Sequence, residues 1–297
     1  MRLLLFVLAG TACAQDLVPR AYLITPAGSN AITLSYSWNN GAVIFDPSVP
    51  VENAKGRFHT SVLSYYHSYA LFGRSSNVVV SVPYATGLFE GTVNGITAQA
   101  SPSGLADARI RFSMNIRGGR AMKLREFRDW REKSLIGVSL TAVVPTGQND
   151  RARVLNIGTN RWAFKPELGL TRRWRRWIAE GYAGMWLFTA NSAFYPGTSK
   201  RTQRPMTAIE GHLGYYVKPG LWASLDGNFW AGGTSSINGL QKQDTQRESR
   251  VGVTLSIPIV SHQSLKFSFS RGAITRIGGD FQTLSGAWQY SWIGRPQ

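Results

Sequence analysis

Charge is what this 297-residue sequence lacks most: Asp, Glu, Lys and Arg make up only 16% of it, against about 25% in an ordinary soluble protein. It has one cysteine, Cys13, which excludes an intrachain disulfide and any Cys-rich metal cluster. Although 43% of its residues are hydrophobic, no stretch of the roughly 20 apolar residues that a spanning helix needs is present. There are four histidines, and neither G-x-S-x-G nor H-E-x-x-H occurs, so the commonest signatures of serine hydrolases and zinc proteases are missing. Ser and Asn are plentiful enough for His pairings to arise by chance. No catalytic residue, cofactor site or metal site is assigned, and the chain reads as a non-enzyme.

What is present is alternation. Aromatics reach 12%, glycines number 31, and from Asn30 onward about twelve segments of roughly 10 residues alternate apolar with polar, the period of a half-buried strand. In "AITLSYSWN", Ile32, Leu34, Tyr36 and Trp38 take one parity and Thr33, Ser35 and Ser37 the other. The last segment, "LSGAWQYSW", sets Leu284, Trp288, Tyr290 and Trp292 against Ser285, Gln289 and Ser291. Short links ("GRSS", "RRWRR", "KPG", "SHQ") alternate with long ones, as periplasmic turns alternate with outer loops in an up-and-down outer-membrane barrel. The predicted fold is therefore all-β: a transmembrane antiparallel barrel of about twelve strands, spanning residues 30–297. A two-sheet sandwich with its apolar faces together is the rival. One link, 118–133, is long where it should be short. Its Leu124, Phe127 and Trp130 fall at helical spacing among basic residues, which suits a short interfacial helix or an amphipathic turn packed on a strand end.

The first fifteen residues, "MRLLLFVLAGTACAQ", have the charged, apolar and A-x-A regions of a signal peptide cleaved after Ala14. Residues 15–29 would then be a periplasmic arm or plug segment. The net charge of +17 falls to +16 once Arg2 is removed. For an exported protein such a charge suits lipid phosphates better than nucleic acid, which is not expected as a partner. The expected partners are outer-membrane lipids with anionic head groups, a small-molecule solute and the barrel assembly machinery, with the monomer as the favoured state. The tail "IGRPQ" after Trp292 must be tolerated if the last aromatic strand is the assembly signal.

Nine ionisable residues share the parity opposite to the apolar one: Arg109, Arg111, Lys165, Glu167, Glu180, Glu210, His212, Asp226 and Lys266. They are the candidate lumen-lining residues, either holding a narrow lumen together or selecting what passes. Arg109 or Arg111 would pair across the lumen with Glu180 or Glu210, since charge in low dielectric needs a partner. "RRWRRW" places Arg172, Arg173, Trp174, Arg175, Arg176 and Trp177 at one turn. Together with Trp38, Trp162, Trp288, Tyr290 and Trp292 these are the candidate membrane-interface anchors.

The stretches "SYYHSY…FGRSSNVVVSVPY", "GVSLTAVVPTGQND", "NRWAFKPELGLTRRW" and "LWASLDGNFW" resemble the family of outer-membrane proteins attributed to the meta-pathway of phenol degradation, whose members carry the label "transporter". The resemblance implies a bacterial outer-membrane barrel and a passive route for aromatic or other hydrophobic compounds. A non-transporting, surface-binding barrel and an outer-membrane hydrolase are the alternatives. Cleavage after Ala14 predicts a mature protein that begins at Gln15 and carries no thiol. N-terminal sequencing and a thiol titration of outer-membrane material check both points, and a modified Cys13 would overturn the cleavage site.

Overall fold

The computed structural model describes residues 17–44, 51–93, 95–131, 133–153 and 155–294. The signal-peptide segment and the last three residues of the tail lie outside them. Alternation of large apolar with small polar residues gives twelve long strands. They are β1 (Ser29–Ile44), β2 (Val51–Leu71), β3 (Arg74–Val93), β4 (Ala108–Arg117), β5 (Ser134–Val144) and β6 (Ala163–Trp174). The second half comprises β7 (Trp177–Phe188), β8 (Met206–Lys218), β9 (Leu221–Gly232), β10 (Gln246–Val260), β11 (Gln263–Ile274) and β12 (Gly278–Ile293). Each pairs antiparallel with its neighbour in sequence, and β1 pairs with β12 from Ser29↔Ile293 to Ile44↔Gly278. The sheet is a closed twelve-stranded barrel.

One sheet face is apolar and exposed: Leu34 is 54% exposed, Leu63 55%, Leu225 63% and Leu284 55%. The other face carries the charged residues, mostly buried. That is the reverse of a soluble protein, and it excludes the sandwich, which would bury the apolar face. The closing strand shows the inversion in one register. Trp288 opposes Leu34 and Tyr290 opposes Ile32 on the outside, while Ser285 opposes Ser37 and Gln289 opposes Thr33 on the inside.

Four turns at one end are tight. They are Phe72-Gly73, Arg175-Arg176, Pro219-Gly220 and Ser261-His262. Each strand therefore runs closer to its turn than the sequence suggested. "GRSS" is mostly strand, and Arg172 to Trp174 complete β6. Phe72 and Gly73 both have positive φ (51° and 71°), as a two-residue hairpin turn of the favoured twist requires. At this end the 118–133 link forms helix α1 (Leu124–Asp129). Phe127 and Trp130 pack against Ile24, Met122 and Leu135, so the helix lies over the barrel mouth rather than free on a membrane surface.

At the opposite end, strands Ser103–Leu105 and Ile96–Ala100 fold back onto β3. The loops after β7 and β9 join into a four-stranded sheet of Asn191–Phe194, Ser199–Gln203, Ser235–Ile237 and Leu240–Gln241. Closure makes β1 a centre strand, bonded on both sides. Ser35→Pro, whose residue faces Val62 on one neighbour and Ala287 on the other, removes a ladder donor from that seam. The wild type should run as a compact band on an unboiled denaturing gel, and the proline variant should lose it.

Candidate functional site inside the barrel

The interior is occupied first by the chain's own N-terminal segment. Gly28, with φ +83°, turns residues 17–27 back from β1 into the barrel, a backbone bend that suits a residue without Cβ. The turn is tied down where Gly28 N donates to Ser68 O at 2.9 Å and Ala27 N to Met122 O at 2.9 Å. Thr25 then meets the Tyr66 hydroxyl at 2.8 Å. Tyr22 is 1% exposed, and its hydroxyl donates to Glu167 Oε1 at 3.0 Å and meets Ser139 Oγ at 3.0 Å. Its ring lies where Gly137 and Gly169 leave room, since a Cβ on either would fall within 2.2 Å of it. Arg111 lies 4.8 Å over the same ring and donates to Ala21 O at 2.9 Å. Arg20 N donates to Glu180 Oε2 at 2.9 Å, and its guanidinium contacts the same carboxylate at 3.5 Å.

Around this segment the charged residues form one network. Lys165 Nζ sits 2.6 Å from Glu167 and, over the intervening β7, 3.3 Å from Glu210. Arg111 reaches Glu167 at 3.5 Å. His212 faces Asp226 at 2.8 Å and Glu210 at 3.7 Å. Asp226 also accepts from Ser224 Oγ at 2.8 Å and Thr254 Oγ1 at 2.6 Å.

All nine residues singled out in the sequence fall on this inner face by strand register. The expected pairing of Arg111 is corrected. Arg111 contacts Glu167 rather than Glu180 or Glu210, because β4, β5 and β6 are consecutive and Glu180 is taken by Arg20 from the N-terminal segment. Arg109 is half-buried on the same face. His212 lies closer to Asp226, directly opposite it in register, than to Glu210 on its own strand.

The interior has two unlike walls. Along β5 to β10 the inward side chains are packed, with Ser139, Glu167, Glu180, Glu210, His212, Asp226 and Thr254 all under 9% exposed. Along β11, β12, β1, β2 and β3 many are small and half-exposed, among them Ser268, Ser285, Ala287, Thr33, Ser35, Ser37, Ser64 and Ser81, beside the larger Gln289, Val62, Tyr66 and Val79. Lys266 is the cation on that wall and is exposed. Pairs of hydroxyls bridge neighbouring strands there, with Ser268 and Ser285 at 2.7 Å and Ser64 and Ser81 at 2.8 Å. Toward the loop end this wall finishes in three phenylalanines. Phe58 meets Phe281 edge-on at 5.0 Å and stacks on Phe89 at 6.2 Å. On the packed side the loop end is filled by Val143, Trp186, Met206 and Trp230. Alternation marked the serines as polar-face residues, but sequence reasoning ranked inward positions by charge and passed over them and the phenylalanines.

Of the candidate anchors, Trp162, Trp174, Trp177, Trp288 and Tyr290 are exposed at 38–46%, as are Arg172, Arg175 and Arg176 by class, while Trp38 and Trp292 are half-exposed. Arg173 differs from its neighbours, since it is half-buried with its guanidinium 4.5 Å over the Tyr216 ring. Among the described residues no group of three His, Cys, Asp or Glu is placed to hold a metal ion.

The family described as "Putative MetA-pathway of phenol degradation" matches residues 58–288. The chain belongs to that family. Its fold matches the COG4313 outer membrane channel from Pseudomonas putida F1 at 17% identity, over 93% of this chain and 100% of that one, with a TM-score of 0.77. The transport unit of the autotransporter AIDA-I from Escherichia coli matches at 9% identity, over 97% and 95%, with a TM-score of 0.51. The β domain of the Bordetella autotransporter BrkA matches at 10%, over 89% and 100%, with 0.50. No curated protein matches the chain in sequence at a significant level. For this family member, Asp226→Ala should lower stability by about 3 kcal/mol, one for each of the three donors, His212, Ser224 and Thr254, left without the carboxylate. A lower temperature for loss of the compact gel band checks this, and no shift would show that the triad contributes little.

Proposed function

We propose that the protein is a passive channel or facilitator of the outer membrane for small solutes, aromatic or hydrophobic ones among them. The half-open wall of hydroxyls carries this reading. A barrel needed only as a membrane scaffold has no use for a lumen packed with ion pairs on one side and left accessible on the other. The nine charged residues then divide their work. Eight brace the packed side and the N-terminal segment, while Lys266 stands in the path. The segment 17–27 acts as a plug that narrows the lumen to this one side. Solutes enter past the half-exposed Phe58 and Phe89, backed by the buried Phe281, whose ring faces suit flat apolar molecules. They move along serines and threonines that hydrogen-bond weakly enough to let go.

Family membership and the likeness in fold to an outer membrane channel support the same reading. Export by a signal peptide and insertion by the assembly machinery fit a barrel of this kind. The exposed Trp and Arg residues suit the head-group layer, with Arg173 turned inward instead. Because every long strand finds both neighbours within one chain, no sheet edge is left over for a second copy, which favours a monomer.

Planar-bilayer recordings test the route. The wild type should give a small conductance. Ser268→Trp or Ser285→Trp should cut it several-fold, and deletion of residues 17–27 should raise it several-fold. No conductance in any of these proteins, with unchanged solute uptake in a deletion strain, sinks the channel reading.

A further inference from the structure

The interior of the barrel does not account for a second constellation, built by the loops at its outer end. Between the loop after β5 and the sheet of Asn191–Phe194 and Ser199–Gln203 lies a small cavity of about 20 Å³ lined by Arg151, Arg153, Arg161 and Arg201 together with Phe194 and Tyr195. A space of that size holds a water or the head of a small ligand. Four arginines converge on it, in a chain where charge is scarce. Arg153 pairs with the exposed Asp150 at 3.2 Å. Arg161 lies 4.5 Å over Phe188 and donates to Gln203.

Arg201 is the telling member. It is 9% exposed, its guanidinium stands 5.5 Å over the Phe194 ring, and its buried Nε has no hydrogen-bond partner. Burial works against its charge, and Asp244 is the carboxylate that opposes this. Asp244 is itself engaged by Ser235, accepting from Ser235 N at 2.8 Å and from its hydroxyl. A buried guanidinium without its full set of acceptors is costly. The group that satisfies it best is a carboxylate, which accepts in the same plane and in pairs. The half-exposed Tyr195, beside the buried Phe194 that backs Arg201, then offers a face to whatever body the carboxylate carries.

We infer that this loop cavity binds the carboxylate of a small aromatic acid, with Arg201 as its principal anion-binding group. Standing at the outer mouth, it gathers such a solute before passage. That role as an entry station rests on the channel reading, whereas binding does not.

Calorimetric titration of the folded protein in detergent with benzoate tests the site, with phenol, acetate and inorganic phosphate as comparison ligands. Benzoate should bind measurably, and phenol and acetate each at least about tenfold more weakly. Arg201→Gln should weaken benzoate about tenfold or more. Tyr195→Ala should weaken benzoate and leave acetate unchanged. The compact gel band verifies that each variant is folded. If Arg201→Gln does not fold, the exposed Arg151→Gln replaces it, and a several-fold loss of benzoate binding supports the site. No benzoate binding by the wild type, equal binding of phenol, or unchanged benzoate binding in the folded arginine variant overturns the inference. Tighter binding of phosphate than of benzoate also overturns it, because the cavity is then a receptor for phosphate head groups. Benzoate binding in a protein that never conducts leaves the site standing and defeats the channel reading alone.

Discussion

Everything in this molecule depends on closing the hydrogen-bond ladder between its first and last strands. In hydrocarbon an unpaired backbone N–H or C=O costs several kcal/mol, and an open sheet of eleven or twelve strands would expose a whole edge of them. The sixteen-residue register of β1 against β12 removes both edges at once. It also decides which way every side chain points, because one residue of slip would send the serines to the lipid and the tryptophans inward. The opposition of Trp288 to Leu34 and of Ser285 to Ser37 is therefore as much a condition of the fold as the hydrogen bonds themselves.

Once the ladder is closed, the energetics of a soluble protein are turned inside out. Lipid covers the apolar face, so no protein core is needed there, and the low charge content follows from how much surface faces hydrocarbon. The charges that remain are concentrated inside and at the two ends. Inside, they serve as the packing that leucines provide elsewhere. Lys165 is shared between two glutamates, Asp226 takes three donors, and the N-terminal segment contributes Arg20 and Tyr22 as two more pieces. A narrow lumen is a hard place to fill with large apolar groups evenly, since every inward position is also a neighbour in register. Gly137 and Gly169 show the fit required, because Tyr22 occupies the volume their missing side chains leave.

Much of this was legible in the sequence because barrel strands repeat with period two, and the period alone sorts each residue to a face. Twelve strands, the tight turns and the inner-face placement of all nine ionisable residues came from that period. The pairing of those residues did not, because partners depend on strand adjacency and on a segment with no period. Arg20 lies outside every alternating run, yet it engages Glu180. The two-residue hairpin turns were read too long, since Arg172 to Trp174 look like a basic patch and only the ladder reveals them as strand. The joining of the loops after β7 and β9 into a separate sheet had no signal beyond scattered Ser, Thr and Gly.

The asymmetry of the interior follows from the order of the strands rather than from any single residue. A segment that enters beside β1 is fixed at its turn by Ser68 and Tyr66 of β2 and then leans on the longer polar side chains of β4 to β7, Arg111, Glu167 and Glu180 among them. At mid-barrel the strands flanking the closure seam carry mostly serine, threonine and alanine inward, shorter than the side chains that hold the segment on the far wall. The seam is thus both where the barrel closes and where its lumen stays accessible. A chain that placed bulky inward residues beside its seam would fill the barrel completely. This one holds its N-terminal segment largely against the far wall with charge and carries mostly hydroxyls on the near wall, so the closure that makes the barrel possible lies beside the more accessible side of the interior among the described residues.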